Sequence, residues 1–167
     1  MKLVEPLVME LEQEGEVTRR VLERVPEEKL SWRPHANSRN LGQLAVHIAG
    51  AQKTVTAALQ KPTYEMSPEE PAIPSTTAEI VALFDTNLAE TKALLSDMSD
   101  EDLMSEWSLT AGGNPVFTAP KVAVVRGVVL NHIVHHRGQL TVYLRQLDVK
   151  VPSIYGPSFD ENPFMPA

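Results

Sequence analysis

The chain has no cysteine. Disulfides, thiolate metal sites and a cysteine nucleophile are therefore excluded, and any thiol chemistry must use a thiol supplied from outside. No run of Lys or Arg forms a basic patch. With a net charge of -7 and a pI near 5.2, this argues against a polyanion such as nucleic acid as the main partner. No uninterrupted apolar stretch approaches membrane-spanning length. The opening Met1-Lys2-Leu3-Val4-Glu5-Pro6 lacks the charged-then-apolar pattern of a signal peptide, so a cytoplasmic location is expected. No His-Glu-x-x-His string is present, which argues against a zincin-type protease. No Ser-His-Asp arrangement, phosphate-binding glycine loop or internal repeat can be read either. The remainder is ordinary globular composition, 43% apolar and 22% charged. A single domain spanning 1–167 is expected.

Hydrophobic periodicity predicts four long helices. The first covers about Leu3 to Val25, with Pro6 in its first turn and Pro26 at its exit. After a compact connector (Pro26 to Asn37), the second starts near Asn37 or Ser38. It runs through Leu41, Leu44, Ile48, Ala51, Val55 and Leu59 until Pro62. The stretch Pro62 to Pro74, rich in proline and acid, reads as a loop with a mobile tip. Thr76 and Glu79 make a capping box for a third helix that ends near Ser96, and Ser99 with Asp102 can cap a further short turn. Gly112-Gly113-Asn114-Pro115 is turn chemistry, and the flanking Trp107-Ser108-Leu109 and Val116-Phe117 can pair as a small hairpin. The fourth helix is the longest, about Ala119 to Leu147, with Thr118 as N-cap. The proline-rich tail Val151 to Ala167 is non-helical but apolar enough to lie against the other elements. The fold class is all-α, a four-helix bundle with short irregular connectors and a non-helical C-terminal tail.

Chemistry concentrates in Asn131-His132-Ile133-Val134-His135-His136-Arg137-Gly138-Gln139, which holds three of the five histidines. His132 and His136, four apart, stack one turn apart on one side of a helix. With Val122 as origin, His136 falls inside the apolar stripe, His132 about 80° round at its edge and His135 about 140° round, toward solvent. His47, on the flank of the second helix's stripe, is the third candidate. Three neutral imidazoles leave a divalent ion coordination positions for water or substrate. With no anionic ligand the ion keeps most of its charge, so bound water falls to a pKa of about 7 and a bound thiol is deprotonated. The bland alternative is packed histidines, each with a ring nitrogen that costs roughly 1–3 kcal/mol if left unpaired. Arg126 lies about 40° from the stripe centre, where it would meet an acidic substrate group or a carboxylate of another helix. Gln139, one turn beyond His136, is placed either to orient a ligand from behind or to cap a neighbouring loop. Tyr155 and Trp32 are weaker candidates for walling a pocket, and His35 reads as a surface residue.

Four stretches carry a resemblance to a known family: Trp32-Arg33-Pro34; Leu41-Gly42-Gln43-Leu44-Ala45-Val46-His47-Ile48-Ala49; the histidine string through Leu140; and Val151-Pro152-Ser153-Ile154-Tyr155-Gly156-Pro157. Together they resemble the DinB/YfiT-like superfamily of bacterial damage-inducible proteins over nearly the whole chain. The resemblance implies a four-helix bundle, often a homodimer, with a metal triad of His47, His132 and His136 holding nickel, zinc or a similar ion. It also implies a metal-dependent transferase using a low-molecular-weight thiol such as bacillithiol or mycothiol, or a hydrolase, acting on a small molecule. The chain is too short for the extra C-terminal domain of the mycothiol-dependent isomerase branch. The alternative is a non-catalytic, stress-associated metal-binding or scaffold bundle.

Overall fold

A computed structural model describes residues 2–66 and 71–165. The helices are α1 (Val4–Leu22), α2 (Leu41–Ala58), α3 (Thr77–Ser96), a short α4 (Asp100–Met104), α5 (Lys121–Val124) and α6 (Asn131–Gln146); the six residues Val125–Leu130 between α5 and α6 form a π-helical segment. Three strands, β1 (Thr63–Glu65), β2 (Glu106–Ala111) and β3 (Asn114–Pro120), make one sheet in the order β1-β2-β3.

Local chemistry sets most of these boundaries. The Asn40 side chain accepts from the Gln43 amide at 2.7 Å, and Gln43 Oε1 accepts from the Asn40 amide at 2.9 Å, closing a capping box that starts α2. Thr76 and Glu79 do the same for α3, as expected, and Ser99 caps α4. Helix α2 thus begins three residues later than the earliest expected cap, Asn37. The Asn40/Gln43 pair satisfies two orphan donors, whereas the Asn37 amide is taken by His35 Nδ1 within the connector.

The all-α expectation is corrected by the sheet. Its β2–β3 hairpin follows the sequence reading: Gly112 and Gly113, at φ +57° and +75°, make the two-residue turn that only residues tolerating positive φ adopt cheaply. The third strand was not anticipated. Thr63–Glu65 is too short to show alternation and lies in a stretch whose composition reads as loop, and its parallel partner β2 is more than forty residues away. The expected mobile tip of that loop falls largely on residues 67–70, outside the described residues. The last helical stretch also differs. The ladder with β2 keeps residues 114–120 extended as far as the Glu106–Pro120 pair, so Thr118 lies in β3 and the helix starts at Lys121.

Four long helical segments, α1, α2, α3 and α5 through α6, carry two apolar clusters. One gathers Leu7 and Leu11 of α1, Ala58 at the end of α2 with Leu59 just beyond it, Leu95 of α3, Trp107, and Val129 with Ile133. The other gathers Val21 and Leu22, Leu44 and Ile48, Ile80 and Phe84, and Leu140 with Leu144. Along α1 and α6 the chain passes from the first cluster to the second, and along α2 and α3 from the second to the first. The segments therefore run up, down, down and up, and α2 is antiparallel to α6. Between the clusters each helix buries polar residues: Glu14 and Thr18, Gln52 and Thr56, Asn87 and Thr91, His136 and Arg137. On α1 the approach to α3 depends on Gly15, where an added Cβ would come within 2.5 Å of Leu88 Cδ2.

Candidate metal centre

The buried polar level is where α2 and α6 face each other with imidazoles. His47 comes from mid-α2, and His132 and His136 come from successive turns of α6. The three Nε2 atoms converge: His47 to His132 is 3.2 Å, His47 to His136 is 3.2 Å, and His132 to His136 is 3.0 Å. The rings are nearly perpendicular to one another, at 77°, 90° and 87°. His136 is buried and the other two are half-buried. His135 touches His136 edge-on with its ring centre 4.8 Å away, outside the cluster, as the helical wheel required.

Hydrogen bonding alone does not satisfy this triangle. A neutral imidazole nitrogen carries one hydrogen or one lone pair, not both. Gln139 Oε1 lies 2.7 Å from His136 Nδ1 and accepts its hydrogen, so the His136 Nε2 faces the other two rings with a lone pair. One conventional hydrogen bond then pairs two of the three nitrogens and leaves the third facing them unpaired. Protonating a ring to supply more donors is opposed by the surroundings: burial first, then the Arg39 charge and the neighbouring rings, push His47 down to about 4. His132 is likewise held at about 4, by burial first and then by His136, His135 and Arg39. The His136 ring is lowered by burial against the opposing pull of Gln139. The rings thus stay neutral with lone pairs available, the state a metal ion needs. Three nitrogens each about 2.0–2.1 Å from one ion lie about 2.9–3.4 Å apart for angles between octahedral and tetrahedral values. The observed edges fall in that range, so these three histidines could hold a metal ion. Among the described residues, no carboxylate is one of the groups whose charges shift the three rings.

The other residues singled out in the sequence have different surroundings. Gln139 contacts a triad imidazole directly. Arg126, in the π segment, is on the outer surface and pairs with Glu10 of α1. A uniform 100° wheel does not hold across a π turn, which accounts for its displacement from the stripe. Tyr155 reaches back from the tail to a buried ion pair that the sequence reading passed over. Arg137, 1% exposed, donates to Glu14 Oε2 at 2.7 Å, to Thr18 Oγ1 at 3.1 Å and to Tyr155 Oη at 2.6 Å. The Tyr155 hydroxyl in turn donates to Glu14 Oε2 at 2.7 Å. Trp32 packs edge-on against Tyr143, and His35 is exposed in the connector. Arg39 was also missed; it lies outside the helical pattern, and only the folded chain brings its charge to bear on all three rings.

A mostly helical chain with a small sheet and three imidazoles gathered from two antiparallel helices defines a helical protein with a candidate three-histidine metal centre. The chain belongs to the DinB family, whose profile matches residues 2–163. It is 27% identical over 150 residues to the uncharacterized protein YrdA of Bacillus subtilis, covering 89% of this chain and 85% of that one. Among solved structures it resembles a DinB-like protein from Bacillus cereus, with a TM-score of 0.73 and 26% identity over 90% of this chain and 97% of the other. It also shares its fold with the DinB-like protein YjoA of Bacillus subtilis, with a TM-score of 0.70 and 20% identity over 90% of this chain and 98% of the other. None of the described helices is long and apolar enough to cross a membrane.

Proposed function

We propose that this protein is a metal-dependent enzyme of the DinB-like four-helix-bundle type, in which His47, His132 and His136 hold a divalent ion, nickel or zinc. The carrying observation is the triangle of three Nε2 atoms, 3.0 to 3.2 Å on a side, which hydrogen bonding leaves incomplete. When bound, the ion would act as a Lewis acid that lowers the pKa of a coordinated thiol or water. The chain's own contributions are positional. Gln139 fixes the His136 tautomer, burial keeps the rings neutral, and among the described residues no carboxylate shares the charge. The absence of cysteine agrees with an external low-molecular-weight thiol as co-substrate, for transfer to a small electrophile; a coordinated water would instead make the reaction a hydrolysis. The same reading includes a homodimer in the cytoplasm.

Elemental analysis of purified protein, wild type against His136→Ala and His47→Ala, tests the first step. About one equivalent of metal in the wild type and none in either variant is expected; equal metal in all three removes the proposal. A screen of low-molecular-weight thiols with electrophilic acceptors then separates transfer from hydrolysis, and light scattering checks the dimer.

A further inference from the structure

His136 and Arg137 are consecutive on α6, so their side chains leave the helix about 100° apart. One meets His47 of α2 and the other meets α1. Arg137 Nη1 donates to the Glu14 carbonyl at 3.2 Å, to Glu14 Oε2 at 2.7 Å and to Thr18 Oγ1 at 3.1 Å. Its Nη2 donates to Tyr155 Oη at 2.6 Å, and the guanidinium carbon lies 5.0 Å from the centre of the Tyr155 ring. Tyr155 is itself held. Its hydroxyl donates to Glu14 Oε2 at 2.7 Å, and Ser153 Oγ donates across it to the Gly156 carbonyl at 2.8 Å. The Ser153 amide donates to Glu161 Oε2 at 3.0 Å, and the Ser153 carbonyl accepts from Arg20 Nη1 of α1 at 3.1 Å.

We propose that this fork sets the rotation of α6 in the bundle and so aims His132 and His136 at His47, with Arg137 and Tyr155 as positioning residues for the metal centre. The inference rests on the metal-centre reading. An atom at the outer radius of a helix, about 5–6 Å, moves about 1 Å for every 10° of rotation. Metal–nitrogen distances hold to about 0.2 Å, so nitrogens contributed by two helices tolerate a rotation of only a few degrees. Apolar contact does not supply that precision. The two clusters grip α6 through Ile133 on one side of the polar level and through Leu140 and Leu144 on the other, and aliphatic packing is non-directional. The π-helical segment directly before His132 interrupts the regular ladder that would carry a register on from α5. Gln139 shares α6 with His136, so it orients the ring on its own helix and not the helix in the bundle. A lone hydrogen bond, such as that from Tyr143 Oη to the Arg39 carbonyl at 3.2 Å, is a pivot. A planar guanidinium with acceptors on α1 and on the tail is not.

The test uses full-length protein and reads zinc affinity together with the ligand-field absorption of bound cobalt(II). Tyr155→Phe, which removes one hydroxyl, should weaken zinc about tenfold, and Arg137→Met about 100-fold, with the cobalt bands shifted in both. Arg137→Lys keeps a charge beside Glu14 and loses the fork, so it should recover folding stability further than zinc affinity. Leu95→Ala, a buried truncation on α3, controls for destabilisation alone and should keep the wild-type affinity and bands. Wild-type affinity and bands in Tyr155→Phe overturn the inference while leaving the metal centre standing, and that variant decides where Arg137→Met does not fold. Leu95→Ala weakened and shifted as much as Tyr155→Phe overturns it equally. A cobalt spectrum that is absent, or identical in the wild type and His136→Ala, overturns the metal centre and this inference with it.

Discussion

His136 and Arg137 are neighbours on α6 and both are buried, yet they enter opposite kinds of polar cluster. Around Arg137 the circuit is closed. Glu14 supplies the counter-charge, Thr18 and the Glu14 carbonyl accept further hydrogens, and Tyr155 bridges guanidinium and carboxylate. Around His136 the circuit is open, because three nitrogens face one another with too few hydrogens to pair them. Burying polar groups is tolerable when they satisfy one another and costly when they do not. The closed cluster explains itself as structure, tying the tail to α1 and α6. The open one presents three converging nitrogens that could hold a metal ion.

The largest expected effect comes from breaking the closed side. Arg137→Met leaves Glu14 and Tyr155 without their buried cation and should lower stability by about 3–5 kcal/mol, measured by denaturant unfolding of metal-free protein. His136→Ala under the same conditions should cost no more than about 1 kcal/mol, since it relieves a crowded triangle as it removes packing. Equal losses in the two variants would erase the distinction.

Next in size is the pH response of the open side. His47 and His132 are held near 4 against an ordinary value of 6.5. Between those values the unfolded chain binds protons at these rings that the folded chain refuses, so folded stability declines as pH falls from 6.5 toward 4. Metal-free wild type should show that decline, and His132→Gln should flatten it. A wild-type stability that is constant through the window would mean that the rings charge freely in the folded state. Gln139→Leu is expected to weaken metal binding by about 10- to 100-fold by releasing the His136 tautomer, read by titration with zinc. Unchanged affinity would show that the Gln139 contact is incidental.

How much of this contrast was readable in the sequence follows from where its determinants lie. The triad was legible because each member obeys a local rule: His132 and His136 share a face at i, i+4, and His47 flanks a strong stripe. Gln139 was legible for the same reason, one turn on. The caps at Thr76 and Ser99 and the Gly112-Gly113 hairpin are likewise short-range. Arg137 stands one residue past a candidate ligand, but its meaning depends on Glu14, 123 positions away, and on Tyr155 in the tail. Arg39 acquires its role only when α2 and α6 pack. The parallel β1–β2 pairing and the π segment are tertiary choices that a fixed period of two or 3.6 cannot express.

The layer that holds both clusters supplies a sharper control. Gln52 is fully buried, and neither its side-chain nitrogen nor its oxygen has a partner among the described residues. If satisfaction is what separates structure from opportunity, an amide with none is a net cost, and Gln52→Met should raise stability by about 1 kcal/mol. A loss of stability would show that the amide is partnered in solution and that the open side extends beyond the histidines.

Arg126 gives the smallest effect and the cleanest check on the boundary of the site. Its pair with Glu10 resembles the Arg137–Glu14 pair in composition, since both join α1 to the last helical stretch, but its side chains are 49% and 35% exposed where those of Arg137 and Glu14 are 1% and 10%. Water already solvates both partners, so Arg126→Ala should change stability by less than about 0.5 kcal/mol. Zinc affinity should be unchanged, because Arg126 is not among the charges that act on the three rings. A drop in zinc affinity in this variant, with stability intact, would mean that the π segment carries the Glu10 pair's influence to His132, and the site would then begin two turns earlier on the chain than the imidazoles mark it.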